Sequence, residues 1–373
     1  MKFIYPRKEF LAFFNHMSAF ASTRDVRPIL QNVKASVNDS GILLTATDGE
    51  VSARGVLPPS DGFTLLSPGE ALLPAKLLKR VLLESTADEV TFEYENNCLR
   101  VKCGRGKFQL DTADDLASFP SISEFTEQTF FKIPAKSLHE IINRTAFATD
   151  ASSSHYDLRG VKFVFCADRV DAIATDGRRL AHQCCAVELC GVGAEDSEYK
   201  QEAIFPPRAL NLIADAANAS YEVLIAFRNQ QAIIKAGNIV ISTNLLTGRF
   251  PDWRTIVPDR SVKKRVDFLV GDLESALRQA EIVATADKPG VWFNFTEGNV
   301  DIAAAGESTG ESSVVMAVAY DGEEHKLRLD PQFVKDFLRR IPDEETVAFY
   351  FFGDFRTLFE TSDGYQYVVM QMA

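Results

Sequence analysis

The stretch 174–181, with the sequence ATDGRRLA, holds residue types that could carry out acid–base chemistry. Asp176 could transfer a proton, His182 follows the stretch directly, and the two arginines could hold an anion. A hydrolase that uses Asp176 and the neighbouring arginines is therefore one alternative, although no nucleophile is evident beside them. Such an enzyme would also need a concave polar pocket with perturbed ionisable groups.

Three sequence motifs of other enzyme classes are absent. The chain has five histidines, and no two of them are four residues apart, so it has no zincin-type metal pair. It also has no GxxxxGK[ST] phosphate loop and no GxGxxG dinucleotide fingerprint. We therefore predict no catalytic residues, no metal and no cofactor.

Composition points to a soluble globular chain with two or three domains. The 373 residues are 46% hydrophobic and 25% charged, and the formal net charge is −12. An acidic average disfavours nucleic-acid binding unless the positive charges are concentrated on one surface. The six cysteines form no CxxC pair, the N-terminal MKFIYPRKEF lacks a signal-peptide core, and no apolar run is long enough to span a membrane. A reduced, cytoplasmic environment is expected.

The letters ATDG also occur earlier in the chain, at 46–49, which is 128 residues before the copy in ATDGRRLA. In both places an Asp-Gly pair stands between β-branched runs, which predicts a tight turn between antiparallel strands. Only the later copy is followed by two arginines.

A longer repeat surrounds these turns. Helix-like segments are predicted to start at Pro6, Pro74, Pro134, Pro206, Gly271 and Pro331, at separations of 60 to 72 residues. Each is preceded by a short strand and followed by about three antiparallel strands. Two such units make a domain, and Phe-Pro pairs at 119–120 and 250–251 mark the boundaries. We predict domains at 1–122, 127–253 and 254–373.

Four motifs occur in order along this triple repeat: RPIL at 27–30, ATDGRRLA, GRFPDW at 248–253 and YVVM at 367–370. With them the chain resembles, over its full length, the family of bacterial DNA polymerase III β subunits, the β sliding clamps. The resemblance implies an α+β DNA clamp fold, with helices that line a central hole and antiparallel sheets outside. It also implies a processivity factor, not an enzyme. Two head-to-tail copies would form a ring that encircles duplex DNA and slides.

The charge distribution has the sign that such a ring requires. The six helical segments together carry +3, so the rest of the chain carries −15, although solvated helix faces would give the same sign. Weak, sequence-independent phosphate contacts are compatible with sliding. The candidate DNA contacts are Arg24, Lys76, Lys79, Arg80, Arg144, Lys335, Arg339 and Arg340.

The resemblance also implies a cleft between the second and third domains. It would take short linear peptides from the replicative polymerase, the clamp loader and repair proteins, with Arg179 as a donor to the peptide. Such a peptide would present a Gln, then Leu and an aromatic or aliphatic residue. Position by position, the cleft residues are Leu158, Thr175, Gly177, Arg178, Arg179, Leu180, Pro251, Ile256, Val368, Val369, Met370 and Met372. Departures from the family pattern at Arg178, Trp253, Gln371 and the short C-terminus are expected to affect which peptides bind.

Ring closure would join the first domain of one copy to the third domain of the other. The resemblance assigns to this homodimer contact Arg105, Lys107, Phe108 and Leu110 on one side and Ile282, Val283, Glu307 and Glu311 on the other. Pairing of exposed sheet edges would remove a liability of the free subunit. A third reading is a scaffold of the same repeats that has no hold on DNA. As a clamp, the protein is expected in the bacterial cytoplasm, associated with the nucleoid.

Overall fold

The structure, a computed structural model, describes residues 1–23, 27–112, 116–150, 152, 156–191, 198–218, 220–258, 264–285, 289–352 and 355–372. Within these ranges no helix has the length and apolar character needed to cross a membrane.

In the described ranges, six α-helices begin within one residue of the predicted starts. They are α1 (Arg7–Ser18), α2 (Ala75–Glu84), α3 (Ala135–Thr145), α4 (Pro207–Ala217), α5 (Val270–Ala280) and α6 (Pro331–Leu338). Pro6 and Pro74 stand at the N-cap, just before the first helical residue. A proline there leaves no helical hydrogen bond unmade, because the first N–H groups of a helix have no partner within it.

Each helix follows one strand and precedes three others, which confirms the predicted repeat unit. The first predicted domain has β1 (Lys2–Pro6), β2 (Asn32–Asn38), β3 (Gly41–Thr47), β4 (Val51–Leu57), β5 (Thr64–Ser67), β6 (Gly69–Pro74), β7 (Glu89–Glu95), β8 (Cys98–Cys103) and β9 (Gly106–Asp111). The second has β10 (Thr129–Pro134), β11 (Val161–Cys166), β12 (Arg169–Thr175), β13 (Arg179–Ala186), β14 (Glu188–Gly191), β15 (Lys200–Phe205), β16 (Glu222–Arg228), β17 (Gln231–Ala236) and β18 (Ile239–Asn244). The third has β19 (Lys264–Leu269), β20 (Val291–Thr296), β21 (Asn299–Gly306), β22 (Gly310–Ala317), β23 (His325–Leu329), β24 (Thr346–Phe351), β25 (Arg356–Glu360) and β26 (Gln366–Met370). Strands β5 and β14 are short additions to the unit.

The chain groups into two compact units, and each is described by itself. The first contains Met1–His139, Val187–Tyr199 and Arg208–Leu245. The second contains Glu140–Ala186, Lys200–Pro207 and Leu246–Ala373. Both units include strands from two of the predicted domains, so the division at 1–122, 127–253 and 254–373 stays a prediction.

Two sheets form the first unit. One has the strand order β5-β1-β7-β8-β9, and the other has the order β14-β10-β16-β17-β18-β4-β3-β2-β6. Strands β4 and β18 pair antiparallel, so the nine-stranded sheet is continuous from the first predicted domain to the second. Helix α1 places Phe10 against Phe92 and Phe14, with ring centroids 4.7 and 5.7 Å apart, and its apolar face is thereby buried in the core.

The second unit also contains two sheets, with the orders β15-β11-β12-β13-β26-β25-β24-β19 and β22-β21-β20-β23. The eight-stranded sheet is joined at its middle by β13 and β26, which pair through four residues each. The core of the second unit contains a cluster of aromatic rings: the ring centroids of Phe295, Phe349 and Phe351 lie 4.7 to 6.0 Å apart. The turn of ATDGRRLA lies at the start of β13, beside this joint.

Candidate functional site

Both ATDG turns have the same backbone geometry and the same hydrogen bonds. Gly49 and Gly177 have φ of 97° and 87°, which glycine adopts without strain. The threonine two residues before each glycine accepts the glycine N–H, at 3.0 and 3.1 Å. Oδ1 of Asp48 and Oδ1 of Asp176 each accept the N–H groups two and three residues further on, at 2.9 to 3.0 Å. The first role of both aspartates is therefore to hold the turn.

An ion pair ties each turn to a helix. In the first copy, Nε of Arg208 at the start of α4 donates to Oδ2 of Asp48 at 2.8 Å. In the second copy, Arg179 donates through Nε to Asp176 at 2.9 Å and through Nη1 to Asp336 of α6 at 2.7 Å. Helices α4 and α6 hold the same place in the repeat. The arginine comes from the helix in one copy and from the turn in the other.

Arg179 uses its donors inside the fold. Its Nη2 donates to the carbonyl of Phe147 at 3.2 Å, and its guanidinium lies 4.5 Å from the ring centroid of Phe333. These contacts come in addition to the two carboxylates and leave the side chain mostly buried. The contacts therefore give Arg179 a structural role in place of the predicted donation to a peptide, whereas its neighbour Arg178 is exposed.

Part of the predicted cleft is an apolar cluster on one face of the eight-stranded sheet. Leu180 of β13 lies opposite Val368 of β26, and both pack with the buried rings of Phe250 and Trp253. Ile256 packs against the same cluster. The segment that follows β18 thus lies across the sheet and forms one wall of the predicted cleft.

Strand alternation separates Val369 from this face. Val369 lies opposite Arg179, whose side chain points to α6, and Val369 is 0% exposed. Since successive side chains of a strand point to opposite faces, Val368 and Met370 share the other face. Met370 is 37% exposed, so it can meet a ligand and Val369 cannot. Of the remaining predicted residues, Thr175 is buried, Leu158 and Met372 are half-buried, and Gly177, Arg178 and Pro251 are exposed.

His182 has a partner that the sequence did not indicate. Its Nε2 lies 2.8 Å from Oδ1 of Asp171, and its Nδ1 lies 3.0 Å from Oε1 of Gln366. The imidazole ring is 4.3 Å from the ring of Trp253. Burial raises the pKa of Asp171, but hydrogen bonds from His182 and Arg169 outweigh burial and hold this pKa below its ordinary value.

This arrangement does not support the hypothesis of a hydrolase that uses Asp176 and the neighbouring arginines. His182 and Asp171 are each 5% exposed, and Asp176 is engaged by its own turn and by Arg179. A buried pair cannot reach a substrate without a large opening. Within the described ranges no group of three His, Cys, Asp or Glu residues could hold a metal. A lone acid between apolar residues, as Asp171 is in the strand RVDAIAT, was the available signal for this buried polar row.

The predicted DNA contacts divide by burial. Lys76, Arg80 and Arg339 are exposed, and Lys79 and Arg340 are half-buried. The other two described residues have a structural role. Arg144 is 4% exposed and contacts Glu140, Gln183 and Asp363, and Lys335 is 8% exposed and donates to Glu281 at 2.6 Å. Arg24 lies outside the described residues.

Two edge strands of the described sheets lie at or beside the residues predicted for the homodimer contact. Strand β9 ends the five-stranded sheet, and β22 ends the four-stranded sheet. On β9, Phe108 is 39% exposed, Lys107 is exposed and Leu110 is half-buried, and Arg105 is exposed just before the strand. Near β22, Ile282 is 77% exposed, Val283 is half-buried, and Glu307 and Glu311 are exposed. Val315, 64% exposed on β22, is a further apolar residue that sequence reasoning missed.

Comparison with known families agrees with this architecture. Residues 1–123 match the N-terminal domain of the DNA polymerase III beta subunit, and residues 132–252 match its central domain. Together these matches cover more than half of the chain. The chain belongs to the DNA polymerase III beta subunit family.

Relatives and solved structures in this family extend along nearly all of the chain. The beta sliding clamp of Chlamydia pneumoniae is 26% identical over 347 residues, which are 92% of this chain and 91% of that protein. The beta sliding clamp of Proteus mirabilis is 26% identical over 352 residues, 92% of each protein. A crystal structure of the Pseudomonas aeruginosa sliding clamp bound to griselimycin has a TM-score of 0.91 and 25% identity, and covers 100% of this chain and 99% of that one. The fold of this family member is thus the DNA clamp fold.

Proposed function

We propose that this chain is the processivity factor of a replicative DNA polymerase. Two copies close a ring around duplex DNA, slide along it, and tether the polymerase and other replication or repair proteins. The observation that carries this proposal is the strand–helix–three-strand unit, which occurs six times in a chain of the DNA polymerase III beta subunit family. This function requires no catalytic group. The protein would work in the cytoplasm, on the nucleoid.

Ring closure is proposed to occur between β9 of one copy and β22 of a second. Pairing these edges antiparallel would join sheets of five and four strands and would satisfy their free backbone groups. Phe108 and Leu110 would pack against Ile282, Val283 and Val315. The predicted charged residues are complementary, but exposed ion pairs contribute only about 0–1 kcal/mol each. Apolar burial should therefore dominate the contact.

DNA is proposed to be held by topology and by weak contacts with exposed cations. Lys76, Lys79, Arg80, Arg339 and Arg340 remain candidates, with Arg24 predicted from the sequence. Arg144 and Lys335 are left out, because each is buried with acidic partners. Contacts to phosphate oxygens position a protein on DNA without reading its sequence.

Partner peptides are proposed to bind the apolar face where β13 meets β26. Met370 and the half-buried Ile256 would offer its accessible surface, and Leu180 and Val368, each 1% exposed, lie beneath it. A methionine repacks easily around different ligands, which suits a surface that serves several partners. Gly177, Arg178 and Pro251 would form the rim. Arg179 and Val369 would support the site from the other face of the sheet.

The test is whether retention on DNA depends on topology. The protein is loaded on nicked circular DNA with a clamp loader and ATP, and the DNA is then cut once. We expect retention on the circle at moderate salt, loss after cutting, and retention again when both ends carry a bound blocking protein. Retention on cut DNA with free ends would mean ordinary affinity, and no retention on the circle would favour a scaffold that does not hold DNA.

A further inference from the structure

A cavity adjoins the proposed peptide face. It has a volume of about 310 Å³ and is lined by the segment 249–254 together with Lys162 of β11 and Glu202 of β15. The same segment contains Pro251 of the proposed cleft, and Ile256, which is also a cleft residue, lies two residues after its end. A peptide that leaves the cleft on this side would therefore pass the cavity.

The lysines at the cavity are paired with a carboxylate, and the arginines are not. Lys162 donates to Glu202 at 2.8 Å, and Lys200 contacts the same carboxylate at 2.6 Å. Hydrogen bonds from these two lysines lower the pKa of Glu202 to about 2, so the carboxylate stays ionised and balances them. Arg249 and Arg254, in contrast, have no carboxylate within ion-pair distance in the part of the chain that the structure describes. Among the described residues, the two guanidinium groups that line the cavity therefore make no ion pair.

The walls of the cavity fit the aliphatic part of an acidic side chain. Phe250 and Trp253 are buried, and Pro251 is exposed. The guanidinium of Arg254 lies 4.5 Å from the ring centroid of Trp253. The indole ring thus covers one face of the guanidinium, and the N–H groups at the guanidinium edge can still donate hydrogen bonds. Asp252 also lines the cavity; its Oδ1 accepts the backbone N–H of Arg254 at 3.3 Å, and it makes no ion pair with either arginine among the described residues.

We propose that this cavity is a subsite for a carboxylate side chain of a partner peptide, a glutamate or aspartate that flanks the segment bound in the cleft. The carboxylate would accept hydrogen bonds from Arg249 and Arg254, and the methylene groups would pack on Pro251 and Trp253. Charge-assisted hydrogen bonds of this kind are stronger than neutral ones and favour the planar fork of arginine. The inference rests on the proposed function, since it needs a peptide in the adjacent cleft.

The experiment uses the full chain and three fluorescent ten-residue peptides with Gln, Leu and Phe at the centre. One has neutral flanks, one has two glutamates on the N-terminal side, and one has them on the C-terminal side. Dissociation constants are measured by anisotropy at low and moderate salt. We expect one acidic peptide to bind about tenfold more tightly than the neutral one at low salt, with a smaller advantage at higher salt.

The variant Arg249→Ala with Arg254→Ala should abolish that advantage and leave the affinity of the neutral peptide unchanged. The matched control, Lys235→Ala with Arg278→Ala, removes two exposed cations outside the cavity and should keep the advantage. If the neutral peptide binds and the acidic peptides gain nothing, or if the double arginine variant keeps the gain, the subsite is rejected and the cleft stands. If none of the three peptides binds, the cleft and the subsite are both rejected.

Discussion

Nη1 of Arg179 donates a 2.7 Å hydrogen bond to Oδ2 of Asp336, and this bond attaches the second ATDG turn to helix α6. The first turn is attached to α4 by the opposite arrangement, in which Asp48 is the acceptor and Arg208 the donor. Both turns therefore connect a β-hairpin to the corresponding helix of the repeat. The arginine in the second copy is explained by this attachment, because α6 offers a carboxylate where α4 offers a guanidinium.

Arg179→Ala should destabilise the protein more than Asp336→Ala does. The first change leaves both Asp176 and Asp336 without their cation, whereas the second leaves Arg179 with Asp176. Breaking a largely buried ion pair by removing one partner costs about 3–5 kcal/mol. Urea unfolding followed by circular dichroism measures the difference.

The neighbouring arginine provides the control for this comparison. Arg178 is exposed, so Arg178→Ala should change the stability by less than about 0.5 kcal/mol. Equal losses in the Arg178 and Arg179 variants would show that the attachment to α6 contributes nothing.

Met370→Ala should affect peptide binding and Val369→Ala should affect stability, although the two residues are adjacent. Met370 is 37% exposed on the proposed peptide face, so its truncation should weaken binding of a partner peptide about tenfold and leave the unfolding midpoint nearly unchanged. Val369 is fully buried on the other face, and its truncation should cost about 2 kcal/mol of stability through the cavity that it leaves. Peptide titration and urea unfolding of both variants check this pair. A loss of peptide affinity confined to Val369→Ala would mean that peptides bind the face of the sheet that carries Val369, and the proposed face would be rejected.

Local sequence signals were sufficient to predict the repeat. Prolines at helix starts, apolar residues at helical spacing and Asp-Gly or Asn-Asn turns are determined within a few residues of the chain. Asn96 and Asn97, for example, take the left-handed φ of 50° and 58° expected of such a hairpin turn. The six helices consequently lie where the sequence places them.

Side-chain partners across long separations could not be predicted in this way. Arg144 reads as a solvated cation on α3, yet it is buried by Asp363, which is 219 residues away in sequence. The family resemblance places Val369 and Met370 together in the cleft. Strand alternation puts them on opposite faces, and the pairing of β26 with β13 decides which of the two shares a face with Leu180. Register and tertiary contacts decide such cases, and a single sequence does not record them.

Phe108→Asp should convert the proposed homodimer into a monomer. Phe108 is 39% exposed on the edge strand β9, and burying a carboxylate at that position opposes the pairing with β22. Sedimentation velocity at micromolar concentration measures the change. Leu66→Asp is the control, because Leu66 is also exposed but lies on β5, at the other edge of the same sheet. A dimeric Phe108→Asp protein would exclude β9 from the interface.

Lys76→Ala with Arg80→Ala should weaken the residual affinity for DNA without affecting the fold. Both side chains are exposed and lie one helical turn apart on α2. Each phosphate contact that is lost should lower the slope of log affinity against log salt by about 1. Lys335→Ala serves as the comparison, because its buried ion pair with Glu281 predicts lower stability and an unchanged salt slope. An unchanged slope in the double variant would contradict the assignment of α2 to the DNA.

Asp171 should make the protein sensitive to acid. Its pKa is below the ordinary value in the folded protein, so the stability that it contributes is fully present above its unfolded pKa of about 3.9 and is lost as the pH falls through the folded pKa. Asp171→Asn should therefore lower the unfolding midpoint at pH 7, because His182 loses its carboxylate partner, and should flatten the dependence of stability on pH below the unfolded pKa of an aspartate, about 3.9. Asp168→Asn removes an exposed carboxylate from the adjacent turn and should leave the midpoint at pH 7 unchanged. Thermal unfolding at pH 7 and at a series of acid pH values tests the prediction. An Asp171→Asn protein that keeps both the midpoint and the acid dependence of the original would show that the pair with His182 does not stabilise the protein.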